Sequence, residues 1–179
     1  MRLFAGVELD ERTRDACGRV QDALRAASFQ ARYESPEKLH VTLAFLGSVN
    51  AERLPDIEYA LSSVAASHVP FEVEFNRLGA FPHTRRPRVI YFGSYDAGAP
   101  FRALAGGLRG AYRELGFSFD QDLVAHVTIA RVKGGSARPL PQLEPAPTPF
   151  RIESIALFES LAHAGTTRYL VRAQADLGA

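Results

Sequence analysis

Hydrophobic and polar positions divide the start of the chain into a strand, a helix and a second strand. Residues 2–9, "RLFAGVEL", are almost continuously apolar between charged neighbours, a pattern typical of a buried strand. Asp10 then stands where it can cap a helix. The apolar residues of that helix recur at helical spacing and are Ala16, Val20, Leu24 and Ala27. The stretch 39–46 is predicted to form the second strand.

The middle of the chain repeats this succession of elements. Asn50 can cap a second helix, whose apolar face consists of Leu54, Ile57, Leu61 and Val64. Residues 71–78 and 88–95 each predict one strand, and the turn-rich "GAFPHTRRP" joins them. A third helix is predicted from Pro100, and its buried stripe consists of Leu104, Leu108, Ala111, Tyr112 and Leu115.

The last third of the chain predicts strands on either side of a long loop. A strand covers "HVTIA", the Pro- and Gly-rich loop spans 134–149, and "FRIESIALFESL" with "TRYLVRAQ" predicts a hairpin. The order in each half is approximately strand-helix-strand-strand. This order indicates an α+β fold with an internal pseudo-repeat.

One short pattern occurs once in each half. "LHVTLAFLG" (39–47) and "AHVTIARVK" (125–133) both read His-Val-Thr, then Leu or Ile, then Ala. Alternation along a strand places Val41, Leu43 and Phe45 on an apolar face. The opposite face then carries His40, Thr42 and Ala44, and in the second copy His126, Thr128 and Ala130. Each strand therefore offers an imidazole, a hydroxyl and a small residue that leaves space beside them.

This set of side chains favours acid–base chemistry. Two histidines without a carboxylate at ligand spacing fall short of a metal site, and we expect neither a metal nor another cofactor. The sequence also has no Gly-x-Ser-x-Gly nucleophile turn and no phosphate-binding Gly-rich loop before a helix. Near neutral pH, one imidazole can accept a proton while the other donates one, and threonine hydroxyls can bind phosphate oxygens. Opening a phosphodiester with water needs such a pair.

Composition limits the partners of this site. The 179 residues are 46% hydrophobic and 23% charged, with a formal net charge of +1 and a single cysteine, Cys17. These values predict a globular protein whose contact with RNA is local, and they exclude an internal disulfide. No stretch predicts a signal peptide or a membrane span, so we expect a cytoplasmic protein.

Taken together, these segments resemble the two-histidine (2H) phosphoesterase superfamily, which is named for paired His-x-Thr motifs. Within it they are most similar to the bacterial and archaeal RNA 2′,3′-cyclic phosphodiesterases, once called 2′-5′ RNA ligases. The likeness also includes "RLFAGVEL", "SPEKLHVTLAFLG", "GAFPHTRRPRVIYFG" and "IALFESLAHAGTTRYLV", and so spans nearly the whole chain. It implies one domain over residues 1–179, with two interleaved antiparallel-sheet lobes and outer helices around a central groove.

The resemblance also implies a reaction and residue roles. The reaction is metal-independent hydrolysis of a 2′,3′-cyclic phosphate on RNA ends or nucleotides to a 2′-phosphomonoester. Apart from the resemblance, we expect the protein to be a monomer. His40 would be the general acid, His126 the general base, and Thr42 and Thr128 would contact the phosphate. The sequence alone does not say which side of phosphorus each histidine occupies.

Three further positions have two interpretations each. Arg131 stands where the family places a cation near the substrate, yet strict alternation turns it away from the groove. Either the strand twists or bulges there, or Arg131 is a surface charge. Phe45 is a core residue by alternation, or a base-stacking residue if its end of the strand reaches the groove. His83, in the basic "FPHTRRPR", is a solvated loop residue or a contact for RNA phosphates.

Three other functions stay open at the level of sequence. The same site could act on a 2′-5′ linked oligonucleotide or another cyclic phosphate, or could join a 2′-phosphate-bearing end to a 5′-hydroxyl. The remaining hypothesis is a non-catalytic nucleotide-binding module. Binding alone would not require both imidazoles, and this speaks against the module.

Overall fold

The structure is a computed structural model that describes residues 1–120, 122–134, 138–163 and 166–178, with only the backbone of His163. Three α-helices are present in these residues: α1 (Glu11–Ala26), α2 (Leu54–Ala66) and α3 (Gly98–Glu114). The strands are β1 (Arg2–Glu8), β2 (Arg32–Tyr33), β3 (His40–Ser48), β4 (Phe71–Phe75), β5 (Arg77–Phe81), β6 (Val89–Gly93), β7 (His126–Arg131), β8 (Thr148–Ile152), β9 (Ser154–His163) and β10 (Thr166–Asp176). None of the helices described is long and apolar enough to cross a membrane.

Eight of the strands form one antiparallel sheet built as two lobes. The first lobe has the order β10-β9-β1-β3, and the second has the order β7-β6-β5 with β2 also paired to β7. The strands β3 and β7 join the lobes through one pair, Val41 opposite Val127. Because a single pair links them, the two lobes have room to diverge on either side of this seam. The predicted α+β fold with two antiparallel lobes is confirmed.

The helices cover the apolar face of the sheet. α1 packs against β7, whereas α3 packs against β3 and α2 against β9 and β10. Val41, Leu43, Val127 and Ile129 are all fully buried beneath them. The hydrophobic core therefore lies on one side of the motif strands and leaves their other side for a site.

Of the three predicted helix starts, the structure confirms that of α1 and differs from those of α2 and α3. The side chain of Asp10 accepts a hydrogen bond from the amide of Thr13 at 2.7 Å, which confirms the predicted cap of α1. Asn50, in contrast, makes no capping hydrogen bond, because a 3₁₀ turn over Ala51–Arg53 precedes α2. α3 begins at Gly98, two residues before the predicted Pro100.

Two segments predicted as single strands are each divided. The stretch 71–78 breaks at Asn76 into β4 and β5, and "FRIESIALFESL" breaks at Glu153 into β8 and β9. In both cases one part stays in the large sheet, while β4 and β8 pair with each other as a separate two-stranded sheet. Apolar patterning does not reveal the break, because both parts bury one face.

Candidate active site

The seam between the lobes brings the two His-Val-Thr motifs together. Val41 and Val127 are paired in antiparallel orientation and point into the core. The residues on either side of each valine therefore share the opposite face. Antiparallel register sets His40 beside Thr128 and Thr42 beside His126, so that the four side chains form two equivalent pairs around the seam.

Both imidazoles are held in the same way. His40 Nδ1 lies 2.7 Å from the carbonyl oxygen of Lys38, and His126 Nδ1 lies 2.8 Å from that of Val124. Each partner carbonyl belongs to the residue two positions earlier. Because a carbonyl oxygen can only accept, Nδ1 is the donor in both histidines. Nε2 of each ring is therefore left for proton transfer.

Aromatic rings surround each histidine on the side away from the seam. The ring of His40 has its centroid 4.7 Å from that of Phe4 and 5.1 Å from that of Tyr169. The ring of His126 lies 5.1 Å from Phe81 and 5.3 Å from Tyr91, both edge to face. These contacts fix the ring planes and remove water from one side of each imidazole.

This environment lowers the pKa of both histidines below the ordinary value. Burial is the main cause for each, since a charged imidazole loses solvation there. The hydrogen bonds to the Lys38 and Val124 carbonyls oppose the shift in pKa, while the charge of Arg131 adds to it at both rings. The charge of His126 further lowers the pKa of His40.

Each motif strand contains a β-bulge at the same position. Gly6 pairs with Thr42 but Ala5 pairs with Ala44, which leaves Leu43 as the extra residue. In the second lobe, Tyr91 pairs with Thr128 but Ile90 pairs with Ala130, so that Ile129 is the extra residue. A bulge shifts the alternation of side chains by one residue. The residues directly after Leu43 and Ile129 therefore change face, and in β3 a second register shift follows between Phe45 and Gly47.

The bulges correct the expectation for the alanines. Ala44 and Ala130 were expected beside the histidines, but both are fully buried in the core. The space in the groove therefore does not come from these two small residues.

The bulges also determine which way Phe45 and Arg131 face. Each of these residues lies five positions after the histidine of its motif. Phe45 is 45% exposed, so the expectation that it packs in the core is wrong. Phe45 and Arg131 both line a groove of about 360 Å³, together with His40, Thr42 and Thr128. Of the two interpretations of Arg131, the bulged strand is the one observed. His126 does not line this groove; it is partly buried between its aromatic neighbours at the same seam.

The groove contains charged and polar residues that the sequence pattern does not single out. Arg2, Arg32 and Lys38 line it along with Arg131 and the carboxylate of Glu34. Glu34 accepts a hydrogen bond from Arg131 Nε at 3.0 Å. The remaining lining residues are Phe4, Ser160, Thr167 and Tyr169. Most of these residues come from β1, β2, β9 and β10, so only strand pairing could have identified them.

His83, Cys17 and Tyr33 are not among the residues that line this groove. His83 is exposed in the loop between β5 and β6, where its Nδ1 accepts from the Arg86 amide at 3.2 Å. Tyr33 donates to the Phe29 carbonyl at 2.8 Å and stacks on Arg25. Cys17 is buried in α1, and burial raises the pKa of its thiol to about 12.

A bilobal α+β fold whose seam carries two tautomer-fixed imidazoles, each beside a threonine, defines a two-histidine phosphoesterase. The sequence matches the model of one family over residues 7–91 and 94–169, which is most of the chain. The chain belongs to that family, described as "LigT like Phosphoesterase".

Relatives and solved structures agree with this assignment. An RNA 2′,3′-cyclic phosphodiesterase from Methanothermobacter thermautotrophicus is 37% identical over 75% of this chain and 72% of its own length. A protein of the same name from Thermus thermophilus is 34% identical over 89% of this chain and 82% of its own. The crystal structure of TT0787 of Thermus thermophilus superposes with a TM-score of 0.83 at 30% identity, covering 99% of this chain and 98% of that one.

Proposed function

We propose that this phosphoesterase hydrolyses the 2′,3′-cyclic phosphate of RNA ends or nucleotides to a 2′-phosphomonoester, with His40 and His126 as its acid–base pair. The observation that carries the proposal is the shared arrangement of the two imidazoles. Each has Nδ1 fixed by a backbone carbonyl, and each flanks the Val41–Val127 pair with a threonine beside it. The two relatives are RNA 2′,3′-cyclic phosphodiesterases by name, which supports the same reaction.

In the proposed mechanism, neutral His126 takes a proton from water through Nε2 as the water oxygen forms a bond to phosphorus. The bond between phosphorus and the 3′-oxygen breaks on the opposite side, and protonated His40 donates its Nε2 proton to that oxygen. The cycle leaves His126 protonated and His40 neutral. Exchange of protons with solvent restores the starting state.

Thr42 and Thr128 donate hydrogen bonds to the two non-bridging phosphate oxygens in this scheme. Arg131 adds a positive charge near them and stabilises the charge that develops in the transition state. The other groove cations, Arg2, Arg32 and Lys38, suit the phosphates of an adjoining RNA strand. Phe45, exposed beside Arg2, offers a ring on which a base can stack.

The alternatives have less support. Ligation of a 2′-phosphate-bearing end would run through the same transition state, but water at high concentration favours hydrolysis. The relatives are named for the 2′,3′-cyclic phosphate, and not for a 2′-5′ linkage or another cyclic phosphate. A module that only binds nucleotides would not require both histidines to have the same tautomer, with Nε2 available for proton transfer.

We further propose that the chain acts as one domain and as a monomer in the cytoplasm. The groove is lined by residues from both halves of the sequence, from Arg2 to Tyr169, and His126 lies at the adjoining seam of the same chain. Sedimentation of the protein at micromolar concentration tests the monomer, and a dimer whose interface contains groove residues would contradict it.

The test of the proposed function is hydrolysis of adenosine 2′,3′-cyclic phosphate in the presence of EDTA, with the position of the product phosphate determined. We expect the wild type to produce the 2′-phosphate, and His40→Ala or His126→Ala to reduce kcat by at least about a hundredfold. His68→Ala, which removes a histidine at the end of α2, is the matched control and should keep wild-type activity. Full activity in either of the first two variants would exclude the paired mechanism.

A further inference from the structure

Two buried polar side chains reach from the helices to the bulges of the motif strands. The Nε of Arg109, on α3, donates to the carbonyl oxygen of Leu43 at 2.9 Å. The Nε2 of Gln21, on α1, donates to the carbonyl oxygen of Ile129 at 2.9 Å. Leu43 and Ile129 are the extra residues of the two bulges. The same device thus occurs once in each lobe, with a different donor.

Both donor side chains are buried, where a polar group is unfavourable unless it is hydrogen-bonded. Gln21 is 5% exposed and Arg109 is 9% exposed. Burial of a polar or charged side chain is unfavourable unless hydrogen bonds compensate for the lost water. Burial lowers the pKa of Arg109, and the neighbouring charge of Arg113 lowers it further. Their bonds to the bulge carbonyls supply part of that compensation.

Gln21 has a second connection to the groove. The same Nε2 donates to the backbone carbonyl of Glu34 at 2.8 Å, and the Glu34 amide donates to the Ile129 carbonyl at 2.9 Å. The Glu34 side chain in turn accepts the hydrogen bond of Arg131. Gln21 therefore joins the bulge to the residue that pairs with Arg131.

We propose that Gln21 and Arg109 are positioning residues that hold the two bulges, and that through them they set Arg131 and Phe45 in the groove. This inference rests on the proposed function, since its readout is hydrolysis of the cyclic phosphate. Each bulge shifts the side-chain alternation just before Phe45 or Arg131. If a bulge relaxed into regular pairing, the residue after it would turn toward the other face of the sheet.

The proposal predicts a specific pattern of energetic coupling. Gln21→Met removes the donor at similar volume and should be coupled to Arg131→Gln, because both changes disturb the same groove cation. Arg109→Met should be coupled to Phe45→Ala in the same way. We expect each double variant to lose less kcat/KM than the product of its two single losses, by about threefold or more.

The crossed pairs are the internal controls. Gln21→Met with Phe45→Ala, and Arg109→Met with Arg131→Gln, combine changes in different lobes and should be additive. Val20→Ala removes a buried side chain of α1 that packs in the core, and with Arg131→Gln it should also be additive. Additive matched pairs would overturn the proposal. Coupling of equal size in matched and crossed pairs would overturn it as well, since that indicates general loosening.

Replacement variants and a binding measurement complete the test. If the methionine variants do not fold, Gln21→Asn and Arg109→Lys take their place, because they keep a polar group but shorten or change the donor. If the wild type does not hydrolyse the substrate, the proposed function fails. The same cycles are then measured on the Kd of adenosine 2′-monophosphate, so that the positioning role is judged separately.

Discussion

Each histidine of the two motifs is influenced by three kinds of neighbour. A backbone carbonyl fixes the tautomer, aromatic rings exclude water, and Arg131 adds a positive charge that disfavours protonation. Burial and Arg131 both lower the pKa of His40 and of His126. Since hydrolysis needs one imidazole neutral and the other protonated, we expect the optimum of kcat/KM to lie below about pH 6.5.

The first residue-scale prediction concerns the charge of Arg131. Arg131→Gln removes a cation that lowers the pKa of both histidines, so both pKa values should rise. The bell-shaped profile of kcat/KM should therefore move to higher pH, with a lower maximum because a phosphate contact is also lost. The measurement is kcat/KM for a nucleoside 2′,3′-cyclic phosphate across the acidic and neutral range.

The matched control for that prediction is Arg102→Gln. Arg102 forms an exposed ion pair with Asp96 at 2.7 Å, outside the groove. The substitution changes net charge by the same amount but should leave the profile in place. A profile that moves equally in both variants would mean that overall charge, and not the position of Arg131, controls the two histidines.

At the scale of elements, the strands beside the motifs approach them closely. A Cβ at Gly93 would lie 2.4 Å from the carbonyl oxygen of Ala125 and 3.0 Å from the Cα of His126. A Cβ at Gly6 would lie 2.4 Å from the carbonyl oxygen of Val41. In both cases the obstacle is the backbone at or beside a motif strand. The glycines therefore allow the neighbouring strands to hold the histidine strands in place.

This close approach predicts opposite results for two Gly→Ala variants. Gly93→Ala should displace β7 at His126, with a fall in kcat of roughly tenfold or more and a lower free energy of unfolding. Gly18→Ala is the control, because a Cβ on α1 at that position meets no atom within 4 Å. It should raise the free energy of unfolding by about 0.5–1 kcal/mol and leave activity unchanged. Urea unfolding and steady-state kinetics of both variants check this, and a fully active Gly93→Ala would contradict it.

For the whole molecule, the buried histidines link folding to pH. Their pKa values are lower in the folded chain than in the unfolded one, so below about pH 6.5 the unfolded state binds more protons. The stability that comes from keeping these rings neutral is present above that pH and is lost as the pH falls. A site suited to proton transfer thus makes the fold sensitive to acid.

This linkage can be measured by urea unfolding at about pH 7.5 and about pH 5.5, on either side of the ordinary histidine pKa. We expect the free energy of unfolding of the wild type to be smaller at the lower pH. In the double variant His40→Gln with His126→Gln, the difference between the two pH values should shrink, because both titrating groups are gone. An equal difference in the two proteins would assign the acid sensitivity to other groups.

The sequence by itself determined the local features of this protein. Apolar periodicity is a property of the chain, so it predicts α1 with its Asp10 cap, the motif strands and the α+β class. The duplicated His-Val-Thr pattern identifies His40 and His126 because strand alternation places imidazole and hydroxyl together. These inferences need only the period of a helix or a strand.

Only the tertiary structure decided what depends on strand pairing. The bulges at Leu43 and Ile129 exist because neighbouring strands and two helix side chains accommodate one extra residue, and no period in the sequence records that. They turn Phe45 and Arg131 into the groove against simple alternation. The groove cations, such as Arg2 and Arg32, are likewise outside the motifs in sequence. Long-range pairing, which local pattern cannot encode, brings them to the same site.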